Sequence, residues 1–527
     1  MLELTADVLV VGGGPAATWA ALKAAQAGAD VVLADKGYCG TSGATASAGT
    51  GVWYVPPDPD RREAAMASRE GLGGYLADRR WMARVLDQTY EAMGELAEVG
   101  RYPFPVGDDG EQLRQGVQGP EYLRRMRIRV QRAGVRVLDH SPVTELLTDA
   151  SGAVAGAAGY RRQQDIPYRV RAGAVVLATG GCAFSSGALG CDVNTGDGAL
   201  MAAEAGAALS GMEFSNAYAI APKFTSVTKT AYYTYATFFH EDGSVLEGAG
   251  SQRGRSVIAR ALLSERVFCR LDHADEPVRR AMRLAQPNFF LPFDRLGIDP
   301  FTQRFEVTLL AEGTVRGTGG IHLTGDDCST GVPGLYAAGD AATRELICGG
   351  FTGGGSHNSA WAMSSGIWAG RAAATHARSL GPHAAQRRLR GTGTAGLRPS
   401  GTAGPADGHR EVVEAVQREV LPYDKNYLRD GSRLEPALAE LDRTWAHARE
   451  SLFGTARDAV RARQAAAMVA HARWMYTAAL ARTETRGMHK RADFPRQDPG
   501  KRYRLLTGGL DQPWVSPLAG ETERVAS

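Results

Sequence analysis

The stretch Asp7-Val8-Leu9-Val10-Val11-Gly12-Gly13-Gly14-Pro15-Ala16-Ala17 runs an apolar strand straight into a glycine-rich turn, followed by a helix predicted from Thr18 to Gln26. Gly12, Gly14 and Ala17 keep the G-x-G-x-x-A spacing of a dinucleotide-binding fold. Gly12 permits the tight turn and Gly14 lets backbone approach a pyrophosphate. Ala17 lets the helix pack closely on the sheet while its first N–H groups face the phosphates. A second strand, Asp30 to Ala34, ends in Asp35, whose carboxylate can accept both hydroxyls of a ribose. A glycine turn alone is a weak sign. Strand, turn, helix, second strand and acid in register make a dinucleotide site the reading of this region.

Beyond Asp35-Lys36, the run Cys39 to Gly51 is too polar for a strand core and too rich in glycine for a helix. Such a loop can press backbone and hydroxyls against a flat ring and a polyol chain. A buried strand, Ala174 to Ala178, ends in Thr179-Gly180-Gly181, and Asn194-Thr195-Gly196-Asp197-Gly198 leads into a small-residue helix. Farther on, Gly334-Leu335-Tyr336-Ala337-Ala338-Gly339-Asp340 offers another strand whose terminal acid can reach a ribityl or phosphate group.

Composition sets the class. At 527 residues, 44% hydrophobic and 22% charged, the chain is a multidomain globular protein. A net charge of +3 argues against a polyanionic partner such as nucleic acid, and the tract Arg124 to Arg136 reads as a solvated helix face. No apolar run approaches the roughly 18 residues of a membrane span, and the first residues read as a core strand, so a cytoplasmic protein is expected. The six cysteines, at 39, 182, 191, 269, 328 and 348, form no C-x-x-C or cluster, so no metal or iron–sulfur site is expected within the chain. Cys182 and Cys191 read either as a pair or as small buried thiols.

Taken together, these segments resemble the FAD-dependent flavoprotein family that includes fumarate reductase, succinate dehydrogenase, L-aspartate oxidase and adenylylsulfate reductase. The likeness runs to about Pro499. Its most specific pieces are Asn194 to Gly198 with Met212-Glu213-Phe214, Gly254-Arg255-Ser256-Val257-Ile258-Ala259-Arg260, Gly334 to Asp340, and Arg482 to Pro495. It implies an α/β fold in which a Rossmann-like FAD-binding domain carries an inserted α+β capping domain and is followed by a C-terminal helical domain. The expected boundaries are 1–214 and 317–378 for the FAD-binding domain and 215–316 for the capping domain, with a linker at 379–410. Residues 411–527 then form the helical domain and a tail poorly ordered beyond Gln512. The residues expected to hold FAD are Gly12, Gly14, Pro15, Ala16, Ala17, Asp35 and Lys36, then Thr41, Ser42, Gly43, Ala44, Thr45, Gly49, Thr50 and Gly51. Val143, Ala178, Thr179, Gly180, Asn194, Thr195, Asp197, Gly339, Asp340, Asn358 and Ser359 complete the set.

The resemblance also assigns chemistry. Arg255 occupies the position of the arginine that carries the substrate proton in the family; the aspartate usual after it is Ser256 here, and the competing reading is a helix-cap or carboxylate-anchoring arginine. The histidine that attaches FAD covalently in some members falls on Gly43, so non-covalent FAD is expected. Residues that grip a dicarboxylate are replaced: one histidine position holds Tyr218, a second is lost from Val315-Arg316-Gly317, and the anchoring arginine is absent from Gly353-Gly354-Gly355-Ser356-His357. Succinate, fumarate and aspartate are therefore disfavoured as substrates. His357 stands where the adenylylsulfate reductase flavoprotein has a histidine near flavin and substrate, and it reads equally as a structural histidine at a helix start. Tyr232, Tyr233, Tyr235, Phe238 and Phe239 form either a pocket wall or an aromatic core.

Two functions follow. One is a self-sufficient dehydrogenase or reductase that moves a hydride at flavin N5 to or from a C–C or C–N bond of a small organic substrate, with Arg255, His357, Tyr218 and Arg316 as candidate catalytic residues. The other is the flavoprotein subunit of an electron-transfer complex with a ferredoxin-like iron–sulfur partner, in the manner of adenylylsulfate reductase.

Overall fold

Val8, Leu9, Val10 and Val11 pack on both faces and are almost wholly buried, as a central parallel strand requires. In the computed structural model they end the strand Leu2–Val11, which pairs in parallel with Val31–Ala34 on one side and Ile166–Leu177 on the other. Residues 108, 229–230, 252, 353, 382, 394–407, 453–456 and 522–527 lie outside the described part of the structure. Val31–Ala34 pairs onward with Arg136–Leu138 in parallel, so the apolar ends of successive strands point the same way. The long strand Ile166–Leu177 serves two neighbours: its first half pairs antiparallel with Val154–Arg161, and its last residues pair in parallel with Leu335–Ala337. Leu335–Ala337 thus returns to a sheet laid down some 160 residues earlier.

Helix Pro15–Gln26 starts with proline in its first turn and has ten buried residues. Helix Gly354–Leu380 lies against it, backbone to backbone. A Cβ on Gly366 would stand 2.5 Å from the Ala16 carbonyl oxygen, and one on Gly370 would stand 2.3 Å from that of Ala20. Small residues at this crossing bring the start of the second helix to the mouth of the sheet.

Between Ala217 and Glu312 the chain builds a separate antiparallel sheet in the order Ala217–Pro222, Phe305–Glu312, Val267–Arg270, Thr237–Phe239. Its core is aromatic: Tyr232, Tyr233 and Phe238 pack with Phe289, Phe290, Phe293 and Phe305. The aromatic cluster seen in the sequence is therefore this core, with Tyr235 and Phe239 at its margin. A third sheet joins Leu209–Ser210, Gly320–Ile321, Leu505–Gly508 and Trp514–Pro517. Helices Gly408–Val420, Gly431–Ser451 and Arg457–Ala481 pack together and against the first sheet's core.

Three expectations need correction. The tail beyond Gln512 is ordered at least through Trp514–Pro517, because that strand completes the edge of the third sheet. The segment expected as a linker supplies Arg390–Gly391, which pairs with Leu147 and Thr148; its residues 394–407 lie outside the described part. The basic tract is not all solvated, since Arg129 of helix Gly119–Arg132 turns inward to Glu95. All six cysteines are buried and free, Cys182 and Cys191 included. Among the described residues, no helix is long and apolar enough to cross a membrane.

Candidate active site

A cavity of about 710 Å³ opens where the parallel strands end, bounded by Val11 and Gly12, Ala34 and Asp35, and Ala178 to Gly180. This is where open α/β sheets bind ligands, because helix N-termini and loop N–H groups converge there. Gly12 sits at φ +125°, and a Cβ on it would meet the Ala178 carbonyl oxygen at 2.2 Å. Only glycine fits this turn.

Asp35 is 3% exposed, and burial pushes its carboxyl up from the ordinary range while the Ser42 hydroxyl donates to it. Beside it, the Lys36 ammonium donates to Thr195 Oγ1 at 3.1 Å and pairs with Asp197 at 3.0 Å. Gly43 lies at φ +83°, and a Cβ there would stand 3.2 Å from Gly14 Cα, so any side chain at this position is strained. The loop thereby brings bare backbone against the Gly12–Gly14 turn.

At the far end, the first turns of helix Gly354–Leu380 supply Asn358 and Ser359. Asn358 Nδ2 donates to the Val315 carbonyl at 3.1 Å, while its Oδ1 and the Ser359 hydroxyl are buried without a hydrogen-bond partner among the described residues. Buried polar atoms without partners on a cavity wall await a ligand with complementary donors and acceptors. Together with the side-chain-free cradle at Gly12 to Gly14 and Gly43, they fit a flavin dinucleotide.

Nearly all of the residues expected to hold the cofactor line this one cavity: Gly12, Gly14, Pro15, Ala16, Asp35, Lys36, Thr41 to Thr45, Thr50, Val143, Ala178 to Gly180, Asn194, Thr195, Asp197, Gly339, Asp340, Asn358 and Ser359. Ala17 lies behind the wall, fully buried in the helix–sheet contact. Gly49 and Gly51 stand off the wall because strand Gly49–Gly51 pairs with Gly116–Gln118 and turns only Thr50 inward. His140, Arg162 and Gln464 also line the cavity and carry no motif that singles them out; Gln464 arrives from helix Arg457–Ala481, where the sequence shows only helical periodicity.

The four candidate catalytic residues do not all meet on this wall. Arg316 is on the cavity wall, with Glu312 3.9 Å behind it. Arg255, at the start of helix Arg255–Ala261, lies off that wall and donates through Nη1 to the Tyr218 carbonyl at 2.7 Å. Tyr218 itself is 2% exposed, and its hydroxyl donates to the carbonyls of Val420 and Leu421, away from the cavity. This packing against the C-terminal helical region accounts for the burial of its hydroxyl. His357 is held off the wall by Arg69, whose Nε lies 3.2 Å from His357 Nε2, and by the Trp53 ring at 4.5 Å between centroids.

Residues 7–223 match the family model of an FAD binding domain, and residues 418–507 match that of the fumarate reductase flavoprotein C-terminal region. L-Aspartate oxidase of Streptomyces coelicolor is 28% identical across 94% of this chain and 90% of its own. A fumarate reductase (CoM/CoB) subunit of Methanothermobacter marburgensis is 25% identical across 97% of this chain and 98% of its own. In fold, the chain is similar to the FrdA chain of E. coli quinol fumarate reductase, with a TM-score of 0.82 over 98% of this chain and 97% of that one at 21% identity. It is also similar to adenylylsulfate reductase of Archaeoglobus fulgidus, with a TM-score of 0.73 over 98% and 96% at 17% identity. The chain belongs to the FAD-binding flavoproteins that carry the fumarate reductase flavoprotein C-terminal region, and is an FAD-dependent oxidoreductase.

Proposed function

We propose that this oxidoreductase acts by itself on a C–C or C–N bond of a small organic substrate other than succinate, fumarate or aspartate. The observation that carries the reading is the fate of Tyr218. The position that the resemblance gives to a dicarboxylate-gripping histidine is committed to the Val420 and Leu421 carbonyls. That leaves Arg316 as the cation near Asn358 on the cavity wall, already shared with Glu312 at 3.9 Å. A second carboxylate would be desolvated there without a partner, a cost that discriminates strongly.

FAD, when bound, supplies hydride acceptance and donation at N5. This chain's residues hold it without a covalent bond: glycine turn and helix start at the pyrophosphate, Asp35 at the ribose, Asp340 at the ribityl or phosphate groups, Asn358 and Ser359 at the ring. Arg255 carries the substrate proton in this reading. It sits in the first turn of a helix, where the dipole opposes a cation, so helix stability gives no reason for arginine at that position. Its hydrogen bond to Tyr218 uses Nη1, and the rest of the guanidinium fork is the part that would meet a substrate.

The second reading, a flavoprotein that passes electrons to a ferredoxin-like iron–sulfur protein, draws on the likeness to adenylylsulfate reductase and on relatives named as subunits. Turnover by the purified chain separates the two. Reduced protein that is reoxidised by an organic acceptor with nothing else present supports the proposal; electron transfer only after an iron–sulfur protein is added supports the second reading instead.

A further inference from the structure

Arg344 is fully buried behind the cavity wall. Its Nη1 donates to Asp340 Oδ1, and its Nη2 donates to the carbonyls of Thr314 at 2.9 Å, Val315 at 3.1 Å and Gly317. Its backbone N–H donates to the Thr318 carbonyl at 2.8 Å. Those side-chain acceptors belong to the turn Gly313–Arg316 and the residue after it, and Asn358 grips the same turn from the cavity side through Val315. One guanidinium therefore ties the acid on the wall, Asp340, to the turn that carries the cation on the wall, Arg316.

Where packing is the only need, a hydrophobic residue of similar volume serves as well as a buried ion pair or better. A lysine ammonium cannot reach a carboxylate and three carbonyls together, because those acceptors match the planar fork of arginine. We infer that Arg344 is a positioning residue for the cofactor cavity: it keeps Asp340 a carboxylate on the wall and fixes the turn that presents Arg316 to bound FAD. The inference rests on FAD occupying this cavity and is independent of the substrate.

Among the described residues, the charged groups facing Asp340 are Arg344 and Arg316, with the Glu312 carboxyl and the neutral Cys191 thiol behind Arg316; Asn358 and Ser359, from the helix below, are neutral. Burial pushes the Asp340 carboxyl up and Arg344 opposes it. Loss of Arg344 leaves burial to act with only Arg316 against it.

The test follows the visible absorption and fluorescence of FAD-loaded protein from about pH 5 to about pH 9, comparing the unaltered chain with R344Q, D340N and R344Q/D340N. A flat profile is expected for the unaltered chain, a one-proton transition for R344Q, and a flat profile again for the double variant. A purely structural arginine would weaken FAD retention at every pH without that transition. A flat R344Q profile, or a transition that survives in the double variant, overturns the inference. Should R344Q fail to fold, R344K decides: charge without the fork predicts a flat profile with FAD held at least ~10-fold more weakly, and unchanged FAD affinity overturns the inference.

Discussion

Lys36 and Asp197, 161 residues apart in the chain, meet at 3.0 Å across the cavity that the strand ends define. Lys36 directly follows Asp35, the acid proposed to face the ribose, and Asp197 opens helix Asp197–Glu204, so the bridge joins two separate segments of the cavity wall. Both side chains are partly exposed, which limits the coupling to about 0.2–1 kcal/mol. A double-mutant cycle of Lys36→Met and Asp197→Asn, read as FAD affinity, should return a coupling of that size; strict additivity would mean that the two segments hold FAD independently.

Asp35→Ala should weaken FAD retention by about 1–3 kcal/mol, the range for a lost hydrogen bond to a charged group. Isothermal titration of the apoprotein with FAD measures it. Gly43→His should not create a flavin bond, because the position is held at φ +83° against Gly14, and its product should bind FAD less well than the unaltered chain. Acid precipitation of the unaltered protein should leave all flavin in the supernatant; yellow colour in the pellet would refute non-covalent attachment.

Arg255→Ala should keep its yellow, folded state and lose turnover by about 10²–10⁴, the contribution of a positioned acid or base. Arg316→Ala should instead raise KM with a smaller effect on kcat, since Arg316 sits on the wall as a binding cation. Pre-steady-state flavin reduction for both variants checks the split. The opposite pattern would move the proton role to Arg316.

Acid should destabilise the fold through His471. Its ring is fully buried beside the Thr314 hydroxyl at 3.1 Å, and burial holds it neutral with a pKa of about 3. The unfolded chain takes up that proton near pH 6.5, so the contribution is complete above that value and is lost as the pH falls toward 3. Between about pH 6.5 and pH 5 this single group should cost about 2 kcal/mol. Denaturant unfolding at the two pH values, compared with His471→Gln, measures it; an equal loss in the variant would place the acid sensitivity elsewhere.

The cofactor half of the site was legible in the sequence because its contacts are local. A glycine turn, an acid at a strand end and a hydroxyl-rich loop each declare their role within a few residues, and the sheet gathers them at one end. The substrate half was not. Tyr218 and Arg255 are adjacent through a backbone carbonyl, and what decides the direction of Tyr218 is a helix 202 residues later whose carbonyls take its hydroxyl. Gln464 and Arg344 were invisible for the same reason: neither belongs to a motif, and each acquires its place only when distant segments pack.

This cavity is proposed to serve an FAD-dependent reaction without a dicarboxylate grip, which anaerobic flavin spectra test. Oxidised protein mixed with succinate or L-aspartate should keep its absorbance, and dithionite-reduced protein mixed with fumarate should stay reduced over the same interval. Rapid bleaching by either donor, or rapid reoxidation by fumarate, would contradict the account and show that Arg316, Arg255 or His357 supplies the grip that Tyr218 has given up.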